Sequence, residues 1–258
     1  MQNNEVFQRV REALAQVEAE KKVRVLFAVE SGSRAWGFAS RDSDYDVRFL
    51  YAHQREWYLS VEDRRDVIER PLDDDLDVSG WELRKALRLL RKSNPPLLEW
   101  LKSPVVYRHD PVFAAEFGAL ANEFYSPRRC FAHYLHMAFG NWRDYLRGRE
   151  QVSLKKYLYV FRPLLACRWI ARGLGQPPML FAQLVEGALE EAGVRAALDT
   201  LVARKQAGDE LAVAPPDEAL SRFIEAELPR LEALAEPAEA AGNVEDLNGF
   251  FRRYALAI

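Results

Sequence analysis

Residues 23–51 read VRVLFAVESGSRAWGFASRDSDYDVRFLY, and this stretch decides the predicted fold. Val23 to Val29 are almost all apolar and rich in branched and aromatic side chains, which is typical of a strand covered on both faces. A Gly-Ser turn and a polar loop come next, and Asp46 to Tyr51 predicts a second strand. The stretch therefore predicts two strands joined by a polar loop.

Two aspartates mark the start of the second predicted strand. Asp44 and Asp46 are two positions apart, and alternate residues of a strand point to the same face. Two carboxylates on one face repel each other unless a cation lies between them, and Mg²⁺ accepts carboxylate and phosphate oxygens as ligands. Two such ions about 3.5 to 4 Å apart would activate a hydroxyl and neutralise a leaving pyrophosphate. Because acidic turns also produce Asp-x-Asp pairs, the surrounding sequence has to decide between the two interpretations.

The Gly32-Ser33 turn supplies that context. Glycine allows the backbone to approach a phosphate closely, and a serine hydroxyl with neighbouring N–H groups can hold phosphate oxygens. Ten residues separate Ser33 from Asp44, with an apolar strand before the turn and a hydrophobic strand after the aspartates. The combination predicts a phosphate site beside a metal site.

The rest of the chain predicts a mixed N-terminal region and a helical C-terminal region. Short strands and helices alternate up to about residue 107, and helical spacing without convincing strands continues from about Pro111. The predicted fold class is α+β. A small mixed β-sheet domain with flanking helices is expected over residues 1–112, followed by an α-helical bundle domain over residues 113–258.

Composition limits the class of protein. The 258 residues are 49% hydrophobic and 29% charged, which is typical of soluble globular proteins and excludes disordered and collagen-like classes. The sequence has no run of about 18 apolar residues and begins with a polar segment, so we expect a cytoplasmic protein without membrane partners. Cys130 and Cys167 lack metal or redox spacing and are predicted to be reduced thiols of the core.

Charge is distributed unevenly along the chain. The net charge is −3, but residues 128–172 carry ten Lys or Arg against two acids, and residues 186–246 carry fifteen acids against five basic residues. This asymmetry predicts that segment 128–172 faces an anion, with RNA as a candidate partner, and that the acidic segment is solvated.

Three longer blocks give the chain a family resemblance. They are GSRAWGFASRDSDYDVRFLY, DVSGWELRKALRLLRKSNPPLLEWLKSPVVY and KKYLYVFRPLLACRWI, with LNGFFRRYAL as a weaker echo near the end. The Gly-Ser turn and Asp-x-Asp pair resemble the polymerase-β-like nucleotidyltransferase superfamily. The blocks are similar to the RlaP-type predicted nucleotidyltransferases, a group linked to RNA ligases and RNA repair.

The resemblance implies a third carboxylate from a later strand, for which the candidates are Asp73, Asp74, Asp75 and Asp77. Asp77 alternates with apolar neighbours, whereas the other three resemble a solvated turn. Ser79 and Glu82 form a capping-box pattern, so a helix is expected to begin at Gly80, just after Asp77. The predicted catalytic and metal-binding set is therefore Asp44, Asp46 and Asp77, with Mg²⁺ or Mn²⁺ as the ion and Asp77 as the general base.

Phosphate binding is assigned first to the turn and its neighbour, Gly32, Ser33 and Arg34. Arg34 either contacts a phosphate with its planar guanidinium or is an ordinary exposed loop arginine. Arg48 shares the face of the aspartates, and we expect it to pair with a carboxylate.

A second group of nucleotide-binding residues is predicted in the helical region. Lys155, Tyr159 and Arg162 form one stripe of a helix and could bind the triphosphate, although such stripes are also common on solvated faces. Lys156 is an alternative to Lys155. Trp36 and Trp81 could stack a base, but packing is the commoner use of such aromatic residues.

The function implied by the resemblance is nucleotidyl transfer, of the EC 2.7.7 type. The enzyme would move an NMP from an NTP, with ATP expected, to a hydroxyl acceptor and release pyrophosphate. An RNA end is the favoured acceptor, and a protein or a small molecule stays open. The alternative is a catalytically silent nucleotide-binding or interaction module on the same fold.

Overall fold

The computed structural model describes residues 2–71, 75–208, 213–237 and 242–256. The chain forms two compact units. The first contains Met1–Ala35, Asp44–Tyr125 and Ala240–Ile258, and the second contains Trp36–Ser43 and Ser126–Glu239. Among the described residues, no helix has both the length and the apolar character that crossing a membrane requires.

A five-stranded mixed sheet forms the centre of the first unit. Its strands are β1 (Val23–Glu30), β2 (Tyr45–His53), β3 (Val67–Glu69), β4 (Leu76–Glu82) and β5 (Val106–His109). The strand order is β3-β4-β2-β1-β5, with β2 and β4 parallel and the other pairs antiparallel. The predicted α+β class is confirmed.

Helices make up most of the remaining described chain. They are α1 (Gln2–Lys21), α2 (Gly32–Trp36), α3 (Arg55–Tyr58), α4 (Leu83–Arg91), α5 (Pro95–Trp100), α6 (Pro111–Phe124), α7 (Pro127–Tyr145), α8 (Lys155–Ala171), α9 (Phe181–Ala188), α10 (Ala192–Gln206), α11 (Glu218–Glu232) and α12 (Val244–Ala255). Two short strands, β6 (Val152–Ser153) and β7 (Val213–Ala214), pair in the second unit.

One face of α1 covers the sheet. Val10, Leu14 and Val17 recur at spacings of three and four, so they lie on one side of the helix. All three are buried in a cluster that also contains Val25 and Tyr51 of the sheet. The apolar face of α1 therefore packs against the sheet and stabilises it.

Strand β4 is longer than the sequence predicts. It pairs with β2 from Leu76 to Glu82, so the predicted helix start at Gly80 is wrong. The cap is Glu82, whose side chain accepts from the Lys85 N–H at 3.1 Å, and not Ser79. Continued backbone pairing with β2 outweighs the local capping pattern, because it satisfies several N–H and C=O groups in the sheet interior.

The compact units differ from the predicted domains 1–112 and 113–258. Helices α6 and α12 both belong to the first unit. The Phe113 ring lies 5.6 Å from the Phe250 ring and 5.0 Å from the Tyr254 ring, which explains why the chain end packs with α6. Whether residues 1–112 and 113–258 behave as separate domains stays a prediction.

Helices α7 and α8 form the buried centre of the second unit. Tyr157, Leu158, Phe161 and Leu165 of α8 are all buried. The two cysteines, on α7 and α8, are buried free thiols, as predicted.

Candidate functional site

Asp46 and Asp77 lie side by side at one end of the parallel pair β2 and β4. Arg48 Nη2 donates to Asp46 Oδ1 at 2.9 Å and to Asp77 Oδ2 at 2.7 Å. Arg48 Nη1 also donates to the Asp77 carbonyl oxygen at 3.2 Å. The prediction that Arg48 pairs with a carboxylate is confirmed. The guanidinium is the cation that holds these two predicted metal ligands together.

Asp44 lies just outside the strand. Because β2 begins at Tyr45, Asp44 precedes the strand by one residue, and whether it shares the face of Asp46 stays a prediction. The side chain of Asp44 is exposed, and its carbonyl oxygen accepts from Arg34 Nε at 3.1 Å. Its charge nevertheless acts on Asp46, since it contributes to the raised pKa of that carboxyl.

The electrostatics of Asp46 show how closely the acids gather. Burial raises the pKa of the Asp46 carboxyl, and the Arg48 guanidinium opposes this rise. The negative charges of Asp77 and Asp44 raise the pKa of Asp46 further. A carboxylate whose charged form is destabilised by neighbouring negative charges is a setting in which an added cation binds favourably.

The two aspartates at this end of the sheet offer carboxylate oxygens, and the binding of Mg²⁺ or Mn²⁺ to them stays a prediction. Asp46 and Asp77 keep 27% and 40% of their side chains exposed, so a hydrated ion can reach them. Carboxylate oxygens are the ligands that these hard ions prefer. Within the part of the chain that the structure describes, no three His, Cys, Asp or Glu side chains are arranged as a metal centre. In this arrangement Arg48 occupies the position between the two carboxylates.

The Gly-Ser turn packs directly against Asp46. Gly32 has a φ of +59°, and a Cβ at this position would lie 1.9 Å from Asp46 Oδ2. Only glycine allows both the left-handed backbone and this approach. Ser33 follows in α2 and is half-buried. The structure thus brings Gly32 and Asp46 together.

Arg34 is held across the beginning of β2. Its guanidinium carbon lies 3.7 Å from the centroid of the Tyr45 ring, and its Nε donates to the Asp44 carbonyl oxygen. Stacking on an aromatic face and a backbone hydrogen bond together orient the guanidinium. Its contact with a phosphate stays a prediction.

Sequence reasoning missed Glu30, the last residue of β1. Its carboxylate is buried, with Oε1 accepting from the Asp46 N–H at 2.8 Å and Oε2 accepting from the Tyr107 hydroxyl. Burial raises the pKa of Glu30 to about 7, although the Tyr107 hydrogen bond opposes the rise. The sequence feature that could have identified Glu30 is its position, because it is an acidic residue at the end of an apolar strand, shortly before the Gly-Ser turn.

Two of the three predicted helical residues, Tyr159 and Arg162, lie beside Trp36 within the second unit. The Tyr159 ring lies 6.1 Å from the Trp36 ring, and the Arg162 guanidinium lies 4.8 Å from it. Arg162 is only 3% exposed, and its Nη2 donates to the Met179 carbonyl oxygen at 3.1 Å. Arg162 therefore packs inside the second unit, and its role toward a nucleotide stays a prediction.

Lys156 is the lysine that contacts Tyr159. Its Nζ lies 3.7 Å from the Tyr145 ring and 5.2 Å from the Tyr159 ring. Burial lowers the pKa of Lys156, and the charge of Lys155 lowers it further. Which lysine faces the phosphates stays a prediction.

Trp81 packs in the first unit. Its ring lies 4.0 Å from the Trp100 ring, with 30° between the ring planes. This close contact favours the packing interpretation over base stacking.

Ion pairs within the second unit neutralise part of the basic segment 128–172. The acidic segment supplies the partners: Arg128 with Glu236, Arg168 with Glu191 and Glu227, and Arg172 with Glu190. Charge that appears unbalanced along the sequence is thus partly balanced in three dimensions. RNA binding through this segment stays a prediction.

Comparisons with known proteins identify the family of this chain. The Bacillus subtilis (strain 168) protein called "Uncharacterized protein YcgL" is 48% identical over 233 residues, which cover 90% of this chain and 89% of that protein. A crystal structure of a nucleotidyltransferase-like protein from Exiguobacterium sibiricum 255-15 aligns with a TM-score of 0.33 and 16% identity, over 89% of this chain and 74% of that chain. The profile of the RlaP family matches residues 6–253. The chain therefore belongs to the RlaP family, described as the RNA repair pathway DNA polymerase beta family.

Proposed function

We propose that this protein is a metal-dependent nucleotidyltransferase, which transfers an NMP from an NTP to a hydroxyl acceptor and releases pyrophosphate. Membership of a polymerase-β family supports a nucleotidyltransferase type of function. The observation that carries the proposal is the placement of Asp46 and Asp77 side by side, next to the close approach of Gly32.

Each residue of this end of the sheet has a role in the proposed reaction. Asp44, Asp46 and Asp77 would hold Mg²⁺ or Mn²⁺, which when bound neutralises phosphate charge and favours deprotonation of the attacking hydroxyl. Asp77, with 40% of its side chain exposed, can accept the proton of an acceptor hydroxyl. Gly32 leaves room for the Asp46 carboxylate itself, and the Ser33 hydroxyl would hold a phosphate oxygen.

The proposed nucleotide is ATP, and the proposed acceptor is an RNA end. The description of the family names an RNA repair pathway, which supports an RNA acceptor over a protein or a small molecule. Arg34, already oriented by the Tyr45 ring, would add charge beside the phosphates. Lys155, Tyr159 and Arg162 remain candidates for binding the rest of the nucleotide.

The test is label transfer from each α-³²P nucleoside triphosphate to a mixed pool of RNA and protein, with Mg²⁺ or Mn²⁺ present. With the wild-type protein we expect label from ATP to appear in RNA. With Asp46→Asn we expect no labelled RNA. Asp42→Asn is the matched control, since Asp42 is an exposed aspartate of the preceding loop. Equal incorporation by the two variants would contradict the proposal.

The Arg48 bridge favours a second candidate, a catalytically silent nucleotide-binding module. Because the guanidinium already pairs with both Asp46 and Asp77, these acids keep their positions without an ion. This alternative predicts that calorimetry measures the same NTP affinity with Mg²⁺ as with EDTA, and that no label is transferred.

A further inference from the structure

Glu30, the last residue of β1, and Ser31, which follows it, both make hydrogen bonds to the main chain of Asp46. The Ser31 N–H donates to the Asp46 carbonyl oxygen at 2.8 Å. The Asp46 N–H donates to Glu30 Oε1, also at 2.8 Å. The main chain of a predicted metal ligand is thus fixed by one backbone group and one buried side chain.

The Glu30 carboxylate occupies the place of a missing sheet acceptor. In an antiparallel sheet, a hydrogen-bonded pair normally exchanges two backbone bonds. Ser31 gives only one of them to Asp46, because its carbonyl oxygen accepts from the Ala35 N–H at 3.4 Å as α2 begins. The chain has already turned away at Gly32, so the side chain of Glu30 replaces the Ser31 carbonyl as acceptor for Asp46.

The carboxylate and the main chain of Glu30 are both held by residues in β5 or just before it. The Tyr107 hydroxyl donates to Oε2, and the Ser103 hydroxyl donates to the Glu30 carbonyl oxygen at 2.6 Å. The Glu30 N–H donates to the Val105 carbonyl oxygen at 3.0 Å. Glu30 is 1% exposed, and a carboxylate is costly to bury unless its hydrogen bonds are made. An apolar side chain would fill this space at lower cost, so packing alone does not account for an acid here.

We propose that Glu30 is a positioning residue that keeps Asp46 aligned beside Gly32 for nucleotidyl transfer, with Tyr107 orienting the Glu30 carboxylate. This inference rests on the proposed function, and it assigns Glu30 no contact with substrate. It predicts that the acceptor oxygen at position 30, and not the bulk of the side chain, decides how firmly Asp46 is held.

The first test measures amide hydrogen exchange of Asp46 by NMR and needs no catalytic activity. Glu30→Met keeps an apolar side chain of similar length but removes the acceptor, and we expect the Asp46 amide to exchange at least about tenfold faster. Glu30→Gln keeps an oxygen that can accept, so protection of Asp46 should stay within about threefold of wild type. The amide of Phe49, in the buried middle of β2, should be unchanged in both variants.

Glu18→Met is the matched control. Glu18 Oε1 accepts from the Val25 N–H at 2.8 Å, so it is another carboxylate that satisfies a backbone amide of the same sheet. Its loss should reduce protection at Val25 and leave Asp46 protected. Equal protection of Asp46 in wild type and Glu30→Met overturns the proposal, and so does an equal loss at Asp46 and Phe49.

The second test separates positioning from substrate binding. In the label-transfer assay, Glu30→Met should lower kcat at least about tenfold with KM for the NTP changed less than about threefold, and Glu30→Gln should recover most of kcat. A rise in KM at constant kcat overturns the positioning role. If wild type transfers no label, the proposed function fails while the exchange measurement still decides the role of Glu30.

Tyr107→Phe covers the case in which Glu30→Met does not fold. It removes one hydrogen bond to the carboxylate and leaves Glu30 in place. We expect a selective loss of protection at Asp46 of about threefold, with Phe49 unchanged. Unchanged protection at Asp46 in this variant overturns the proposal.

Discussion

The parallel pair β2 and β4 carries carboxylates at both ends and uses them in opposite ways. At one end, Asp46 and Asp77 are joined by Arg48 and remain partly exposed. At the other end, Glu82 is 1% exposed and accepts from the Tyr58 hydroxyl at 2.7 Å and from the Lys85 N–H at 3.1 Å. An ion pair that solvent reaches can exchange its partner, whereas a buried carboxylate with hydrogen bonds to both oxygens cannot. The difference distinguishes acids available for chemistry from acids that hold the fold.

The largest effect is expected at the exposed end. Asp77→Asn should lower label transfer at least about 1000-fold, because metal-assisted charge stabilisation is worth several kcal/mol and each 1.36 kcal/mol is tenfold in rate. The free energy of unfolding should change by less than about 1 kcal/mol, since a partly exposed ion pair contributes little. Asp75→Asn is the control, because Asp75 has a similar exposure and pairs with Arg9 at 2.9 Å. Activity lost equally in both variants would contradict a specific role of Asp77.

The opposite result is expected at the buried end. Glu82→Ala removes the cap of α4 and leaves the Tyr58 hydroxyl without its acceptor, so it should destabilise the protein by about 2 to 3 kcal/mol. Urea unfolding measures this loss, and label transfer per folded molecule should be preserved. In combination with Tyr58→Phe, the loss should be less than additive. A folded Glu82→Ala protein with full stability and no activity would reverse the comparison.

The Gly32 turn gives a smaller effect at the exposed end. Gly32→Ala should cost about 1 to 2 kcal/mol more stability than Gly148→Ala, and it should reduce transfer because the new Cβ displaces the Asp46 carboxylate. Gly148 is the matched control, with a φ of +67° and no atom within 4 Å of an added Cβ. Both variants carry the left-handed strain, so the difference in urea unfolding measures the close approach alone. An equal cost would show that Asp46 adjusts freely.

The smallest effect is expected from His53, which ends β2 near Glu82. Its ring stacks on Trp57 at 4.0 Å, and burial, with the charge of Arg64, lowers its pKa to about 4. In the unfolded chain the imidazole takes up a proton near pH 6.5, so the folded state loses stability as pH falls from about 7 toward 4. His53→Phe removes this titration. The stability of wild type relative to the variant should therefore fall by about 1 kcal/mol between pH 7 and pH 5.5, as measured by urea unfolding. A constant difference across this range would show that His53 titrates normally in the folded protein.

Local patterns were sufficient for the elements around the site. Strand β1, the turn at Gly32 and strand β2 follow from apolar runs, glycine and spacing, which are properties of neighbouring residues. The pairing of Arg48 with a carboxylate also followed from strand alternation, because Arg48 and Asp46 are two positions apart on one face. These features needed no knowledge of the tertiary structure.

Long-range contacts account for what the sequence did not predict. Glu30 has its partners 16 and 77 positions away, at Asp46 and Tyr107, so its role depends on the order of strands in the sheet. Glu82 looked like part of a capping box, but β4 continues to that residue because β2 lies beside it. The balance of charge in segment 128–172 likewise depends on glutamates brought close by folding, such as Glu191 and Glu227.

Helix α12 has a consequence for the order in which the protein is made. Its rings Phe250 and Tyr254 cover Phe113 and Phe117 of α6, yet Ser126–Glu239 is translated between the two helices. The ribosome therefore completes most of the second unit while the aromatic face of α6 still lacks its partner. The entropic cost of closing a loop grows only slowly with its length, so a loop of roughly one hundred residues is tolerated. The contact between α6 and α12 nevertheless cannot form before α12 has left the ribosome. Until α12 has been synthesised, Phe113 and Phe117 therefore lack these aromatic packing partners, so the first unit cannot complete its packing before the second unit has been translated.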